Sequence, residues 1–460
     1  VPDITQRLFT KVPEITGISK RPSWWRNRFL LSFSSVSVVA VSAVIVALVL
    51  LQTGPQYPGL KPLNKVSFSL MNSDERTEFA GENQISHQSI QDFALSSFLS
   101  LTSEEDNLVY SPISAYLALA SLLEAADLDT YLELSDALNI NQLSELQTIA
   151  SSYMQLLNFE YTDVVNKQKQ ISKSLLSNGI FVNEAYPVQQ TYLDTLATHY
   201  YSEVFHTPFS PLAKQGIAQW VNDKTQNFLD MSPDDIHFSA DTIFKIYITL
   251  YTKLFWHNAY KKANTVTRPF TNTLTNEVDD VAFMQKTFSP IYASKNADYD
   301  VVVDRIRYDL QMTIIMPNAP LLVRDILENE SAMEELFVVR ETNHIDSLIT
   351  MKLPKFSIKN HLNLKPMLQS IGVEAVFDSH NANLSKAIEG AFVSSIFQET
   401  GIEIEENGLE GASVTQIETS ATATPSNDEI LIYDMNRSFI YAISTTDGIP
   451  LYIGVNQSIN

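Results

Sequence analysis

Residues 29–51 read FLLSFSSVSVVAVSAVIVALVLL, a run without a single charge, and this run limits how the rest of the chain can be organised. At about 1.5 Å per residue, a helix of that length crosses a hydrocarbon core of about 30 Å. Trp24 and Trp25 lie just before it, suited to an interfacial belt. Residues 1–28 carry Arg7, Lys11, Lys20, Arg21, Arg26 and Arg28 against Asp3 and Glu14, a net +4. Positive charge upstream of the span places the N-terminus in the cytoplasm and everything after Leu51 outside the cell, as a single-pass signal-anchor. A cleaved signal peptide is the competing reading. Its apolar region usually runs about 7–15 residues and ends at a small-residue cleavage site, whereas this run is longer and leads into LQTGPQYPG. Nothing in the run repeats at helical period, which argues against a buried core helix.

The chain has 460 residues and a formal net charge of −22, so the part after residue 28 carries −22 − 4 = −26. Binding along a nucleic-acid backbone is excluded by that charge. The absence of cysteine excludes disulfides, Fe–S clusters, thiolate zinc sites and cysteine nucleophiles. Residues 52–84 are rich in Pro, Gly, Asn and Ser and read as a tether. From Ser89 the pattern changes: Ile90, Phe93, Leu95 and Phe98 fall at near-helical spacing behind a serine cap. A long helical region follows, through SAYLALASLLEAADLDTYLELSDAL and QLSELQTIASSYMQLL. Short β-like runs dominate later, among them YDVVVDRIRY, LQMTIIMP, LITMKLPKFSI, GIEIEE, EILIYD, SFIYAIS and PLYIGV. Helices early and strands late predict an α+β domain with large antiparallel sheets, spanning residues 85–460 without internal repeat.

No catalytic constellation can be assembled. HExxH, a phosphate-cradling loop, GxGxxG after a strand and a G-x-S-x-G elbow are all missing. The eight histidines are scattered and form no spaced metal pair, so neither a metal nor a cofactor is expected. An enzyme is therefore disfavoured.

What the chain does contain is a series of local patterns in fixed order. Asn107 is followed by Ser111, Pro112 and Ser114; Ser177 and Asn178 open a β-like run; Ser202, Glu203 and Phe205 precede Trp220, Asn222 and Thr225. Lys253 and Trp256, the run Leu353–Pro354–Lys355–Phe356, and Leu364, Gly372 and Phe377 come next. Glu405, Glu406, Gly408, Glu410 and Ala412 follow, and residues 439–454 close the chain as a hairpin. In this order the patterns resemble those of serpins, over nearly all of residues 89–460. The resemblance implies a serpin fold with about nine helices and an exposed reactive-centre loop. It also implies a suicide inhibitor, expected as a monomer, that takes a serine protease as a covalent complex. A cysteine protease is a variant, because the acyl chemistry is analogous. In that mechanism the protease attacks the loop, and the loop's first half inserts as a new strand into the main sheet, releasing stored strain.

On those terms the hinge comprises Glu406, Gly408, Leu409, Glu410, Gly411 and Ala412. Insertion in alternation would bury Leu409, Gly411, Ser413, Thr415 and Ile417; an ordinary polar linker remains the other reading of this segment. Family spacing puts the scissile bond at Thr422–Ala423, with Ala421, Thr424 and Ser426 as neighbours to which it could shift. Residues 408–425 contain no Lys or Arg, so the loop suits an elastase-like or subtilisin-like pocket and not one built around a buried Asp. The resemblance assigns Ser111, Ser114 and Trp256 to the regions that control sheet opening. The positions where inhibitors pair Asn with His across the parting strands fall, by counting, at Ile248 and Gln398, predicting an apolar–amide contact in place of a hydrogen bond. Leu409 and Gly411 in the hinge, and Leu254 before Trp256, also depart from the inhibitory pattern. A non-inhibitory serpin, acting as a surface binding or substrate-like protein, is the alternative.

Overall fold

The computed structural model describes residues 56–82, 87–102, 107–165, 168–238, 242–337, 348–409 and 430–459. The predicted membrane span and residues 410–429 lie outside this set. Among the described residues no helix is long and apolar enough to cross a membrane.

Ten α-helices occur among the described residues, against about nine expected. In chain order they are α1 (Ser73–Glu82), α2 (Gln88–Leu101), α3 (Pro112–Leu123), α4 (Leu128–Ala137) and α5 (Leu143–Leu157). The later ones are α6 (Gln190–Thr195), α7 (Pro211–Lys224), α8 (Val323–Leu327), α9 (Glu330–Glu334) and α10 (Lys365–Ser370). The long helical region predicted from Ser114 is three helices, α3, α4 and α5, and the first break falls between α3 and α4. Leu128 takes a left-handed φ of 50°, and the chain turns there while the Asp127 N–H donates to Asn383 O at 3.0 Å. The serine cap predicted for α2 is also displaced: His87 holds the cap position, its Nδ1 within 3.0 Å of the Tyr153 hydroxyl.

The strands of the first half are β1 (Lys61–Pro62), β2 (Leu108–Tyr110), β3 (Phe159–Val165), β4 (Gln168–Asn183), β5 (Glu203–Thr207) and β6 (Phe244–Phe255). Next come β7 (Val266–Thr271), β8 (Val278–Phe288), β9 (Tyr292–Lys295), β10 (Tyr299–Ile306), β11 (Leu310–Pro317) and β12 (Ile349–Pro354). The last are β13 (Phe356–Asn363), β14 (Val393–Ile404), β15 (Gly408–Leu409), β16 (Leu431–Asp434), β17 (Phe439–Thr445) and β18 (Pro450–Asn456). They make three sheets. The main sheet runs β1-β5-β4-β6-β15-β14-β13, with β3 paired to β4; a second runs β2-β18-β17-β11-β10-β9, and a third β16-β12-β8-β7.

The long central strand β6 of the main sheet was not legible as an alternating pattern, because both of its faces are covered. In β6, Ile246, Ile248 and Leu250 enter the large core shared with α2–α5 and the second sheet. Tyr247 points the other way, into a smaller core with Phe181, Phe205, Ile217, Trp220 and Val221. That second core lies under α7. Ser210 caps α7 by accepting from the Ala213 N–H at 3.4 Å, and Pro211 occupies the first turn, where its missing N–H costs nothing. Glu203 of β5 fixes the far end, accepting from Trp220 Nε1 at 2.7 Å and pairing with Lys224 at 2.6 Å.

The predicted tether needs a correction. The compact unit begins at Tyr57, and residues 57–82 are part of it. Lys61 and Pro62 pair with His206 and Phe205 at the edge of the main sheet. Helix α1 follows, and the buried Arg76 in it donates to Leu156 O at 2.7 Å and Tyr308 O at 3.2 Å. Composition suggested a linker; edge pairing and one buried arginine decided otherwise.

Candidate functional site

The main sheet has a seam between β6 and β14. These strands run parallel, in register from Phe244–Val393 to Thr249–Glu399. Beyond that they are joined through β15: Gly408 and Leu409 pair with Phe255 and Leu254 on one side, and Leu409 pairs with Ile404 on the other. Residues 250–253 of β6 and 400–403 of β14 lie between, with no register to each other among the described residues. The chain after Ile404 therefore turns back and starts a new strand in the middle of the sheet.

Gly408 is dictated by space. A Cβ there would lie 1.9 Å from Leu254 O and 2.7 Å from Phe255 Cα, far inside van der Waals contact. Leu409 is 1% exposed and belongs to the large core. Its departure from the inhibitory pattern is thus a side chain already buried. Glu410, Gly411, Ala412, Thr422 and Ala423, named as hinge and scissile residues, lie outside the described residues.

The turn leading into β15 is held by a charged cluster. Glu406 is buried; its Oε1 accepts from the Thr265 hydroxyl at 2.8 Å and its Oε2 lies 3.2 Å from Lys355 Nζ. Glu405 pairs with the same ammonium at 3.0 Å. Burial pushes the Glu406 carboxyl up, but the bonds from Thr265 and Lys355 outweigh it and leave the group below its ordinary value. Trp256 Nε1 donates to Glu405 O at 2.9 Å, the Trp256 N–H to Asn407 O at 3.0 Å, and the Tyr260 N–H to Glu406 O at 2.8 Å. Lys286 sits 4.3 Å from the Tyr260 ring centre and 4.9 Å from that of Trp256, and forms a buried pair with Asp304 at 2.5 Å. Sequence reasoning quoted Lys355 within a motif without giving it a role, and missed Thr265, Tyr260, Lys286 and Asp304. Their partners are distant in the chain, so no spacing could reveal them.

At the middle of the seam, Ile248 and Gln398 are register partners, as counting predicted. The expected apolar–amide contact is incomplete, however. The Gln398 Oε1 accepts from the Ser111 N–H and its Nε2 donates to Ser111 O, each at 2.8 Å. Ser111 and Ser114 hydroxyls lie 2.8 Å apart. The amide thus ties β14 to the start of α3 instead of reaching across to β6. Asn178, the residue of β4 opposite Ile248, is 1% exposed, and neither of its amide atoms has a protein partner among the described residues.

The described residues thus form three sheets with helices packed on the main one, and the two-residue strand β15 sits between β6 and β14. The structure of a thermophilic serpin, tengpin, in its native state superposes with a TM-score of 0.72, at 22% identity, covering 87% of this chain and 100% of that one. The structure of human thyroxine-binding globulin gives 0.67, at 22% identity, covering 81% and 98%. In sequence, human Serpin B4 is 25% identical over 368 residues, 76% of this chain and 93% of its own length. Serine protease inhibitor 42Dd of Drosophila melanogaster is 27% identical over 326 residues, 69% and 84% respectively. The family model for serpins (serine protease inhibitors) matches residues 88–457, and the chain belongs to the serpin family.

Proposed function

We propose that this protein is a membrane-tethered serpin that inhibits extracellular serine proteases by the suicide route, with preference for small residues at the cut. The observation that carries the reading is β15. Gly408 and Leu409 already occupy the first two positions of a strand between β6 and β14, so insertion of the following residues extends a strand that exists. The loop's lack of Lys and Arg supports an elastase-like or subtilisin-like target. The uncharged run at 29–51 and the basic residues before it support the anchor, with the inhibitor domain outside the cell.

The test is incubation of the protein with elastase-type and subtilisin-type enzymes, followed by denaturing gels and mass spectrometry of the cut. A covalent band with cleavage near Thr422–Ala423 is expected. Clean cleavage with neither a covalent band nor a gain in thermal stability overturns the inhibitory reading. Membrane fractionation with protease protection tests the anchor and its orientation.

One observation favours the alternative, a binding role. A cavity of about 610 Å³ lies between α2 and the α8–α9 pair, lined by Leu95, Leu99, Leu327 and Met333 and by the charged Arg324, Glu328, Glu330 and Glu334. A mainly apolar hollow of that size suits a small amphipathic molecule. Thermal-shift screening of such molecules, compared between the protein and a Leu99→Arg variant, tests it.

A further inference from the structure

We propose that His257, Arg305 and Arg307 form a binding site for a small dianion of the sulfate or phosphate kind, beside the turn that leads into β15. The site is made where the end of β6 meets the end of β10, joining the main sheet to the second. Trp256 and Ile306 form an antiparallel bridge there. The His257 N–H donates to Arg305 O at 2.9 Å, and the Arg307 N–H donates to Phe255 O at 3.0 Å. Trp256 and Ile306 are both buried. Alternation along the two segments sends their neighbours the other way, and His257 is exposed, with Arg305 and Arg307 half-buried beside it. This register sets His257 directly opposite Arg305, an arrangement that costs stability when both are charged.

The charge here runs against that of the domain. Residues 253–262 hold Lys253, His257, Lys261 and Lys262 without one acidic residue, and Arg305 and Arg307 add to them, in a chain that carries −26 after residue 28. The carboxylates nearby are largely occupied. Asp304 is buried and taken by Lys286, and Glu405 and Glu406 are taken by Lys355. Asp309, exposed two residues beyond Arg307, offsets one positive charge. Burial lowers the proton affinity of the His257 ring; Arg305, Arg307 and Lys286 lower it further, against Asp304. Both guanidinium groups are therefore near enough to act on the ring. Like charges gathered at a cost to the folded chain suit a place that receives an anion. Two guanidinium groups on one face offer N–H forks to the oxygens of a tetrahedral oxyanion, and the protonated ring adds a donor. The patch is short and the surface around it acidic, which disfavours a long polyanion. The ligand also reaches the hinge turn through Trp256, whose Nε1 donates to Glu405 O at 2.9 Å and whose N–H donates to Asn407 O at 3.0 Å.

The test is calorimetric titration of the whole protein with sodium sulfate, against sodium chloride of equal ionic strength. It is run between about pH 5.5 and 7.5, where sulfate keeps both charges and an unperturbed histidine titrates. Binding is expected to tighten about fivefold toward the acid end as His257 gains its proton, and inorganic phosphate is expected to compete. Arg305→Gln and Arg307→Gln should each weaken sulfate binding about tenfold, while His257→Gln removes the pH dependence. Because Arg305→Gln relieves like-charge repulsion, its thermal midpoint in chloride should hold or rise, which loss of a merely structural arginine would not allow. Sulfate binding that survives both arginine variants, or equal effects of sulfate and chloride, overturns the site. Heparin bound through the same arginines more tightly than sulfate also overturns it, by making the patch a polyanion surface.

Discussion

Gly408 is tied to its place by distance. Gly408→Ala puts a methyl 1.9 Å from Leu254 O, so β15 must leave the sheet or distort it. The expected cost is about 1–3 kcal/mol in denaturant unfolding, together with a shift from covalent complex to cleaved substrate in protease assays. Glu406 gives a pH signature. Its carboxyl is held below the ordinary value, so its contribution is present above the carboxylate range of the unfolded chain. That contribution is lost as pH falls through the lower folded value. Glu406→Gln is therefore expected to cost about 1.5–3 kcal/mol at neutral pH, the worth of a hydrogen bond to a charged group. The difference from the unsubstituted protein should vanish in acid, as urea unfolding across pH would show. Gly408 and Glu406 were both picked out from the chain; what held them there was not, since Lys355 and Thr265 arrive from connections far away in sequence.

Among the elements, β14 is held to α3 by one amide. Gln398→Leu leaves the buried Ser111 N–H and C=O without their side-chain partner and should cost about 1–3 kcal/mol. If that bond restrains the seam, exchange at residues 393–399 quickens more than exchange in β13. The loop makes a separate prediction. Thr422→Arg supplies the side chain that a buried Asp pocket requires, so cleavage and complex formation should move from elastase-type to trypsin-type enzymes, read on the same gels. Two elements with one more exposed face, α5 and β12, were legible in the sequence and fall where periodicity puts them; β17, buried throughout, was legible as a short apolar run. β6 was not, since burial on both faces erases alternation, and the first part of β4 was not because its buried positions, Gln170, Ser172 and Ser174, are polar while Ile171 is exposed. The break between α3 and α4 depends on a left-handed Leu128 that no propensity favours.

At the scale of the molecule, the closed main sheet with a hinge already docked is a structure with room for one more strand. Loop cleavage is expected to raise the thermal midpoint, because the inserted segment gains ladder bonds and buries alternate side chains in a sheet that lacked them. Scanning calorimetry of the intact and cut protein measures it. The acidic surface left by a charge of −26 after residue 28 should repel anionic polymers, so added heparin is expected to leave the rate of protease inhibition unchanged.

The sequence by itself determined the α+β class, the family, the uncharged run before the domain and the absence of Lys and Arg from residues 408–425. Each of these rests on local composition, or on motifs that survive as ordered strings. Tertiary structure decided that residues 57–82 are part of the folded unit, that Leu409 is buried, and that Gln398 binds Ser111 instead of spanning the seam. Each of those depends on contacts between residues far apart in the chain, where edge pairing and burial outweigh any preference a local window can display.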